Sequence, residues 1–241
     1  MLLAGGGLVA GVVNTLAGGG SLLTVPLLVL VGLPGTVANG SNRVGILVQN
    51  GIAALGFRAQ GVSGLRGSAP LLAPVAAGAL LGAGAASQLP DALFERVFGV
   101  IMLVLLVPTL WRPRALRAAE TPGPARRILA PLAFFGIGLY GGAFQAGVGL
   151  LLVFALSLAG LDLVRANSVK VVVNFGLTLL ALPVFLAAGQ VAWPEALTLA
   201  AGYACGGAAG ARLAVRGGER LIRPVLAVSV VALAGRMLGL Y

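Results

Sequence analysis

Residues 163–188 form an apolar run whose only charge beyond the first turn is Lys170, the single lysine of the chain. Comparable runs recur along the sequence, and crossing a bilayer core of roughly 30 Å takes about 20 such residues. A soluble domain is excluded: 59% of the 241 residues are hydrophobic and 9% are charged, against about a quarter charged in soluble domains. A β-barrel is excluded as well, because its spans read as alternating strands of about ten residues. The chain is therefore read as an all-α polytopic membrane protein embedded in the lipid bilayer.

The formal net charge of +10 does not point to nucleic acid. Most arginines lie in short segments between apolar runs, where positive charge anchors cytoplasmic loops. The opening stretch MLLAGGGLVAGVVN has no basic region ahead of its apolar residues, so a cleavable signal peptide is not supported. Histidine is absent, which removes His-based metal sites, Ser-His triads and His proton relays. The six acids, Asp91, Glu95, Glu120, Asp162, Glu195 and Glu219, lie in loops or near segment ends. Cys205 is the single cysteine and reads as a small packing residue. No enzyme chemistry, cofactor or metal is expected from this composition.

The apolar pattern gives two interrupted and six continuous membrane segments. The first interrupted segment covers 2–33 and is broken at Ala17 to Ser21, AGGGS; the second covers 128–161 and is broken at Gln145 to Gly149, QAGVG. Continuous segments are expected at 38–57, 68–88, 97–111, 163–188, 194–211 and 223–241. Pro26, Pro108 and Pro183 are expected to kink or end helices. The two halves repeat. Placing Ala38-Asn39 on Ala166-Asn167 carries Gly19 onto Gly147, Leu22-Leu23 onto Leu150-Leu151, Gly32-Leu33 onto Gly160-Leu161, and Asn42 onto Lys170. GALLG (Gly78 to Gly82) matches GYACG (Gly202 to Gly206) after a small shift, and both fit small-residue helix packing. The organisation read from this is residues 1–111 as a first repeat, 112–127 as a basic cytoplasmic linker and 128–241 as a second repeat.

Arginine placement orients the repeats. The linker carries Arg112, Arg114, Arg117, Arg126 and Arg127 and belongs inside. LPDALFER (Leu89 to Arg96), with Asp91 and Glu95, then falls outside, whereas its counterpart Arg212 to Arg223 is basic and falls inside. Equivalent loops on opposite sides mean two inverted repeats, each with one broken, re-entrant segment and three transmembrane helices. A broken helix that spans the membrane, giving eight crossings and parallel repeats, is the alternative.

Non-helical backbone at membrane depth is tolerated only where protein buries it or where it lines a wet cavity. The helix restarting after each break points free N–H groups and a positive dipole end inward, which suits an anion. Gly19, Gly20 and Gly147 supply that backbone, and Ser21 is placed to cap the helix or to donate to a ligand. The helices that follow carry polar stripes: Asn167, Lys170 and Asn174 in the second half, and Asn39, Asn42 or Arg43, Gln49 and Asn50 in the first. A cation mid-helix costs about 2.5–3.5 kcal/mol on insertion scales and marks function by default; snorkelling to the interface is the structural alternative. Lys170 and Arg43 are read as charge partners for an oxyanion, with Asn39, Asn42, Asn167 and Asn174 as hydrogen-bond donors. Asp162 and Arg165 are expected to pair at the interface.

NTLAGGGSLLTVPLLVLVGLPGTVANGSN resembles the signature of the TauE/SafE sulfite exporter family, also called TSUP transporters. The carrying residues are Gly18 to Ser21, Val25-Pro26-Leu27-Leu28 and Ala38 to Asn42; the second copy, QAGVGLLLVFAL with ANSVK, departs further, and the tail from Gly202 is similar to the family's closing pattern. The resemblance implies a secondary transporter in the bacterial inner membrane that moves sulfite, an organosulfonate or a related oxyanion. An anion channel, or a carrier of another small organic anion, stays open at this point. The direction of transport, a coupling ion (proton or sodium) and the oligomeric state are open too.

Overall fold

The computed structural model describes residues 1–110 and 124–215. They form nine helices and, among the described residues, no strand: α1 Leu2–Ala17, α2 Ser21–Leu30, α3 Gly35–Ala59, α4 Leu65–Ala86, α5 Asp91–Leu110, α6 Pro124–Ala143, α7 Val148–Leu158, α8 Leu163–Ala187 and α9 Trp193–Val215. The expected segment at 223–241 and most of the linker lie outside the described residues.

Both breaks fall where the glycines are. α1 stops because Gly18 takes left-handed backbone (φ 83°) and returns its N–H to the carbonyls of Val13 and Asn14, a conformation that costs glycine nothing. α2 then doubles back along α1, with Gly20 against Ala10 and Asn14 and Leu27 reaching Gly6. At 16 and 10 residues and 1.5 Å per residue, neither piece crosses a bilayer alone, so the first interrupted segment is a hairpin. The second break is made by left-handed Gln145 (φ 60°) and Gly147 (φ 63°), after which Val148 returns against Gly141.

Helix ends in the two halves of the sequence share one spacing. The same offset that aligns Asn39 with Asn167 carries Gly35 and Ala59 of α3 onto Leu163 and Ala187 of α8, and Leu65 of α4 onto Trp193 of α9. No shift is needed at the small-residue motifs. Gly78 and Gly82 correspond to Gly206 and Gly210, not to Gly202 and Gly206, and these glycines do equivalent work: Gly78 and Gly82 seat against Phe135, Leu139 and Ala143 of α6, while Gly206 and Gly210 seat against Leu8, Gly11 and Thr15 of α1.

Those contacts cross the two halves of the sequence. α1 packs most extensively on α9, and α6 on α4. The packing groups are therefore α1, α2, α3 with α9, and α6, α7, α8 with α4, so each half of the sequence lends one helix to the other. α3 and α8 run antiparallel between the groups, with Gly40 near Gln190, Gly51 near Phe175 and Gly64 near Ser168. Polar side chains collect in this centre, among them Asn14, Thr24, Asn42, Arg43, Gln49 and Asn174, whereas Leu55, Leu81, Val104 and Leu132 are exposed. By length and apolarity alone two described helices, Leu65–Ala86 and Leu163–Ala187, suffice to cross a membrane; α3 is as long as α8 but carries the inward polar stripe.

Several local expectations change. α5 begins at Asp91, so the stretch read as an outer loop is already helical, with an acid in its first turn where the dipole favours it. Asp91 Oδ1 also accepts from the N–H and hydroxyl of Thr36, holding the start of α3. In the second half Asp162 does this directly, accepting from the N–H groups of Val164 and Arg165; its counterpart ahead of α3 is Pro34, which has no side-chain acceptor. The Asp162–Arg165 pair exists at 3.5 Å but is solvent-exposed, which leaves it worth little. Pro26 and Pro183 lie inside α2 and α8 without ending them. Cys205 is exposed, because the face of α9 turned to α1 is the one bearing Gly202, Gly206 and Gly210.

Candidate functional site

The last four carbonyls of an α-helix have no intrahelical partner, and a break inside a protein leaves them away from water. Each break here is closed by a cation from the other packing group. Lys170, 1% exposed, donates from Nζ to the carbonyls of Asn14 and Thr15 and to Asn167 Oδ1, each at 2.8 Å. Arg43, fully buried, donates through Nη1 and Nη2 to the carbonyls of Gly141, Gly142 and Ala143, and through Nη1 to Gln145 Oε1. Its guanidinium also lies 4.4 Å from the ring centre of Phe185, a favourable face for a cation. The repeat offset carries Asn14 and Thr15 onto Gly142 and Ala143, so the same carbonyl positions are used twice.

This arrangement differs from a clamp in which both cations present their protons to a ligand. Lys170 has three N–H donors, and each has an oxygen partner within the protein. Arg43 keeps one unpartnered buried donor, Nε. The cations sit at helix C-termini because a positive charge is stabilised there. They offset the negative end of α1 and of α6, and the positive N-termini of α2 and α7 remain.

The amides divide by role. Asn39 donates to the Ala143 carbonyl at 2.8 Å, beside Arg43. Asn167 accepts from Lys170, and Asn174 Oδ1 accepts from Gln145 Nε2 at 2.9 Å. Asn42 Oδ1 accepts from Thr24 at 2.7 Å and from Tyr203 at 3.2 Å, which leaves its Nδ2 buried and unpartnered. Ser21 is buried but does not cap α2. It is the first helical residue, the cap position belongs to Gly20, and no side-chain cap bond forms. Gly147 caps α7 in left-handed backbone. The two breaks meet: a Cβ on Gly18 would collide with the backbone of Gly149 and Leu150.

Residues not assigned to the anion from the sequence complete the site, Gln49 of the polar stripe among them. Asn14 Nδ2 donates to Gln49 Oε1, and Gln49 Nε2 donates to Thr15 Oγ1, both at 2.6 Å. Asn14 Oδ1 accepts from the N–H of Gly20 at 3.3 Å, tying the two sides of the first break together. Gln145 Nε2 also donates to the Thr178 hydroxyl, and the hydroxyls of Thr24 and Tyr203 bond each other at 2.8 Å. Their signal in the sequence was polarity within apolar helices. Gln49→Leu is expected to leave the Nδ2 of Asn14 unsatisfied, costing about 1–3 kcal/mol for that buried donor, while the Thr15 hydroxyl keeps its bond to the Gly11 carbonyl. A fall in melting temperature of the purified protein, with Gln60→Leu (the exposed C-cap residue of α3) closer to wild type, checks it.

A polar centre wrapped in exposed leucines is the build of a membrane protein, and helices broken at that centre are a hallmark of transporters. Comparison with known proteins gives the same class. The family model "Sulfite exporter TauE/SafE" matches residues 3–237. The chain is 30% identical over 236 residues to "Probable membrane transporter protein ORF9" of Sinorhizobium sp, covering 96% of this chain and 89% of the relative. It is 27% identical over 232 residues to a "Probable membrane transporter protein" of Haemophilus influenzae, covering 96% and 91%, and 23% identical over 235 residues to "Probable membrane transporter protein YfcA" of Escherichia coli K12, covering 96% and 86%. No solved structure matches the chain. The chain belongs to the sulfite exporter TauE/SafE family, and it is a membrane transporter.

Proposed function

We propose that the protein is a multi-pass secondary transporter of the bacterial inner membrane that moves a small sulfur-containing oxyanion, sulfite or an organosulfonate, by alternating access. The observation that carries this reading is Arg43: a guanidinium that stays charged in proteins, fully buried, whose hydrogen-bond partners are all neutral oxygens. Together with the N-termini of α2 and α7, it makes the space around the breaks electropositive. The anion is met by the backbone N–H groups of Gly19, Ser21 and Gly147 and by the free Nδ2 of Asn42, with Asn39, Asn167 and Asn174 around it; the N–H of Gly20 is held by Asn14 Oδ1 and only shapes the break. Arg43 and Lys170 supply charge at short range while their own protons stay largely on carbonyls.

The antiparallel run of α3 and α8, with the hairpin of α1 and α2, supports two inverted repeats centred on the breaks, the residues 1–111 and 128–241 joined by a cytoplasmic linker. Rocking then takes place between the two packing groups, which exchange α4 and α9, and both cation–carbonyl contacts span the moving boundary. Purified protein in proteoliposomes, with labelled sulfite, taurine and thiosulfate as probes, tests the reading. Saturable uptake with counterflow, and mutual competition among the anions transported, is the expected result. Ohmic single-channel currents would establish a channel instead, and no flux of any of the three would overturn the substrate class.

A further inference from the structure

In carriers built on discontinuous helices, the C-terminal carbonyls of a half-helix are a common seat for a small coupling cation. Those oxygens lie where the helix's own hydrogen-bond ladder runs out and carry the negative end of the dipole; Asn14 and Gly141 each accept one capping N–H here and keep a second lone pair. Here the seat at the end of α1 consists of the carbonyls of Asn14 and Thr15, joined by Asn167 Oδ1 from α8. These three oxygens converge at 2.8 Å on one ammonium nitrogen, a cluster of hard oxygen donors of the type alkali cations bind. The matching seat at the end of α6 holds the guanidinium of Arg43 on the carbonyls of Gly141, Gly142 and Ala143. Both sites use the same carbonyl positions of the repeat, and both are closed by a side chain from the opposite packing group.

We infer that Lys170 and Arg43 are tethered replacements for coupling cations, so that this transporter binds neither sodium nor potassium at its breaks and runs without a gradient of either. The inference rests on the chain being a membrane transporter and not on which anion it carries. It assigns to the Lys170 position a cryptic site for a monovalent cation. Truncation to alanine leaves three inward-facing oxygens and a vacated volume, which ammonium, methylammonium or potassium fits by charge and size. Methionine keeps most of the volume filled and removes the charge, so it closes the site without neutralising the carbonyl end.

Thermal unfolding of the full-length protein in detergent tests this at equal ionic strength in choline, sodium, potassium, ammonium and methylammonium chloride. Wild type is expected to melt at the same temperature in all five. Lys170→Ala should melt lower in choline and recover at least half of that loss in ammonium, methylammonium or potassium; Lys170→Met should recover none. A saturable rise in the wild-type melting temperature with sodium or potassium would overturn the inference, as would a Lys170→Ala protein indifferent to every cation. Should Lys170→Ala not fold, the wild-type comparison still decides. Labelled sulfite flux into proteoliposomes in sodium, potassium and choline media separates the two readings: equal flux in all three supports cation independence, a requirement for sodium or potassium overturns it. Absence of sulfite flux in every medium counts against the substrate alone, and the melting data then carry the decision.

Discussion

Arg43→Ala is expected to abolish transport and to lower the melting temperature by roughly 10 °C. The guanidinium holds three backbone carbonyls and the Gln145 amide at the end of α6; Ala143 keeps the Asn39 donor and Gly141 the Gln145 N–H, whereas the Gly142 carbonyl and Gln145 Oε1 lose theirs. Hydrogen bonds to a charged group contribute about 1.5–3 kcal/mol each. Because they share one side chain they are not additive, and the two buried oxygens left without a donor cost about 1–3 kcal/mol each. In a protein of this size each kcal/mol corresponds to about 2–4 °C, which gives the stated shift. Alanine also strips the cation from the face of Phe185 and exposes the negative end of α6 to the break.

Arg43→Lys sharpens the test. It keeps the charge but replaces a planar fork with a point donor on a shorter reach, so it cannot span Gly141 to Ala143 and Gln145 together. Stability should fall between wild type and alanine, with transport reduced rather than absent. Arg58→Ala, on the exposed end of α3, serves as the comparison and should stay within about 0.5 kcal/mol of wild type. Melting curves followed by proteoliposome flux check the order. Equal behaviour of the alanine variants at 43 and 58 would remove Arg43 from the site.

Much of this architecture was legible as pattern. The glycine breaks were read at 17–21 and 145–149, and the helices that follow were read as 38–57 and 163–188, close to α3 and α8. Glycine clusters interrupting apolar runs are strong signals because no other residue adopts left-handed backbone so cheaply. The cations stood out because a charge in an apolar helix is costly. What they hold was not legible: a backbone carbonyl has no residue type, so nothing in the sequence marks Asn14, Thr15 and Gly141 to Ala143 as acceptors. The glycine pattern marks only the N-termini of the restarting helices, whereas a cation belongs by sign at the C-termini of the preceding ones.

The exchange of α4 and α9 was hidden for a related reason. Spacings such as Gly78-x3-Gly82 announce a close helix contact but do not name the helix on the other side. Nor did they reveal their own register, since apolar glycine-rich strings match at more than one shift. The start of α5 was displaced because Asp91 and Glu95 look like loop residues, yet acids are stabilised in a first helical turn. Thr24 and Tyr203 were absent from the reading because each looks ordinary in its own helix. They become informative when they meet over Asn42 Oδ1 and leave that amide's donor end without a partner.

The point where the two breaks touch sets the second large effect. Gly18 and Gly149 approach backbone to backbone, and a Cβ on either meets main-chain atoms of the other, which cannot rotate away. Gly18 also holds a φ of 83°, where a side chain adds about 1–2 kcal/mol of strain. Gly149→Val is therefore expected to force the hairpins apart, with loss of transport and little monodisperse protein after purification. Gly149→Ala should fold but melt several degrees lower, with flux reduced at least tenfold, because the Arg43 and Lys170 contacts are set by how closely the two breaks sit. Gly5→Ala, which meets nothing within 4 Å, should by contrast be neutral or stabilise α1 by up to about 1 kcal/mol. Size-exclusion profiles, melting temperatures and flux on the three variants check the ranking. A Gly149→Val protein that folds and transports normally would mean that the two breaks need not touch for the carrier to work.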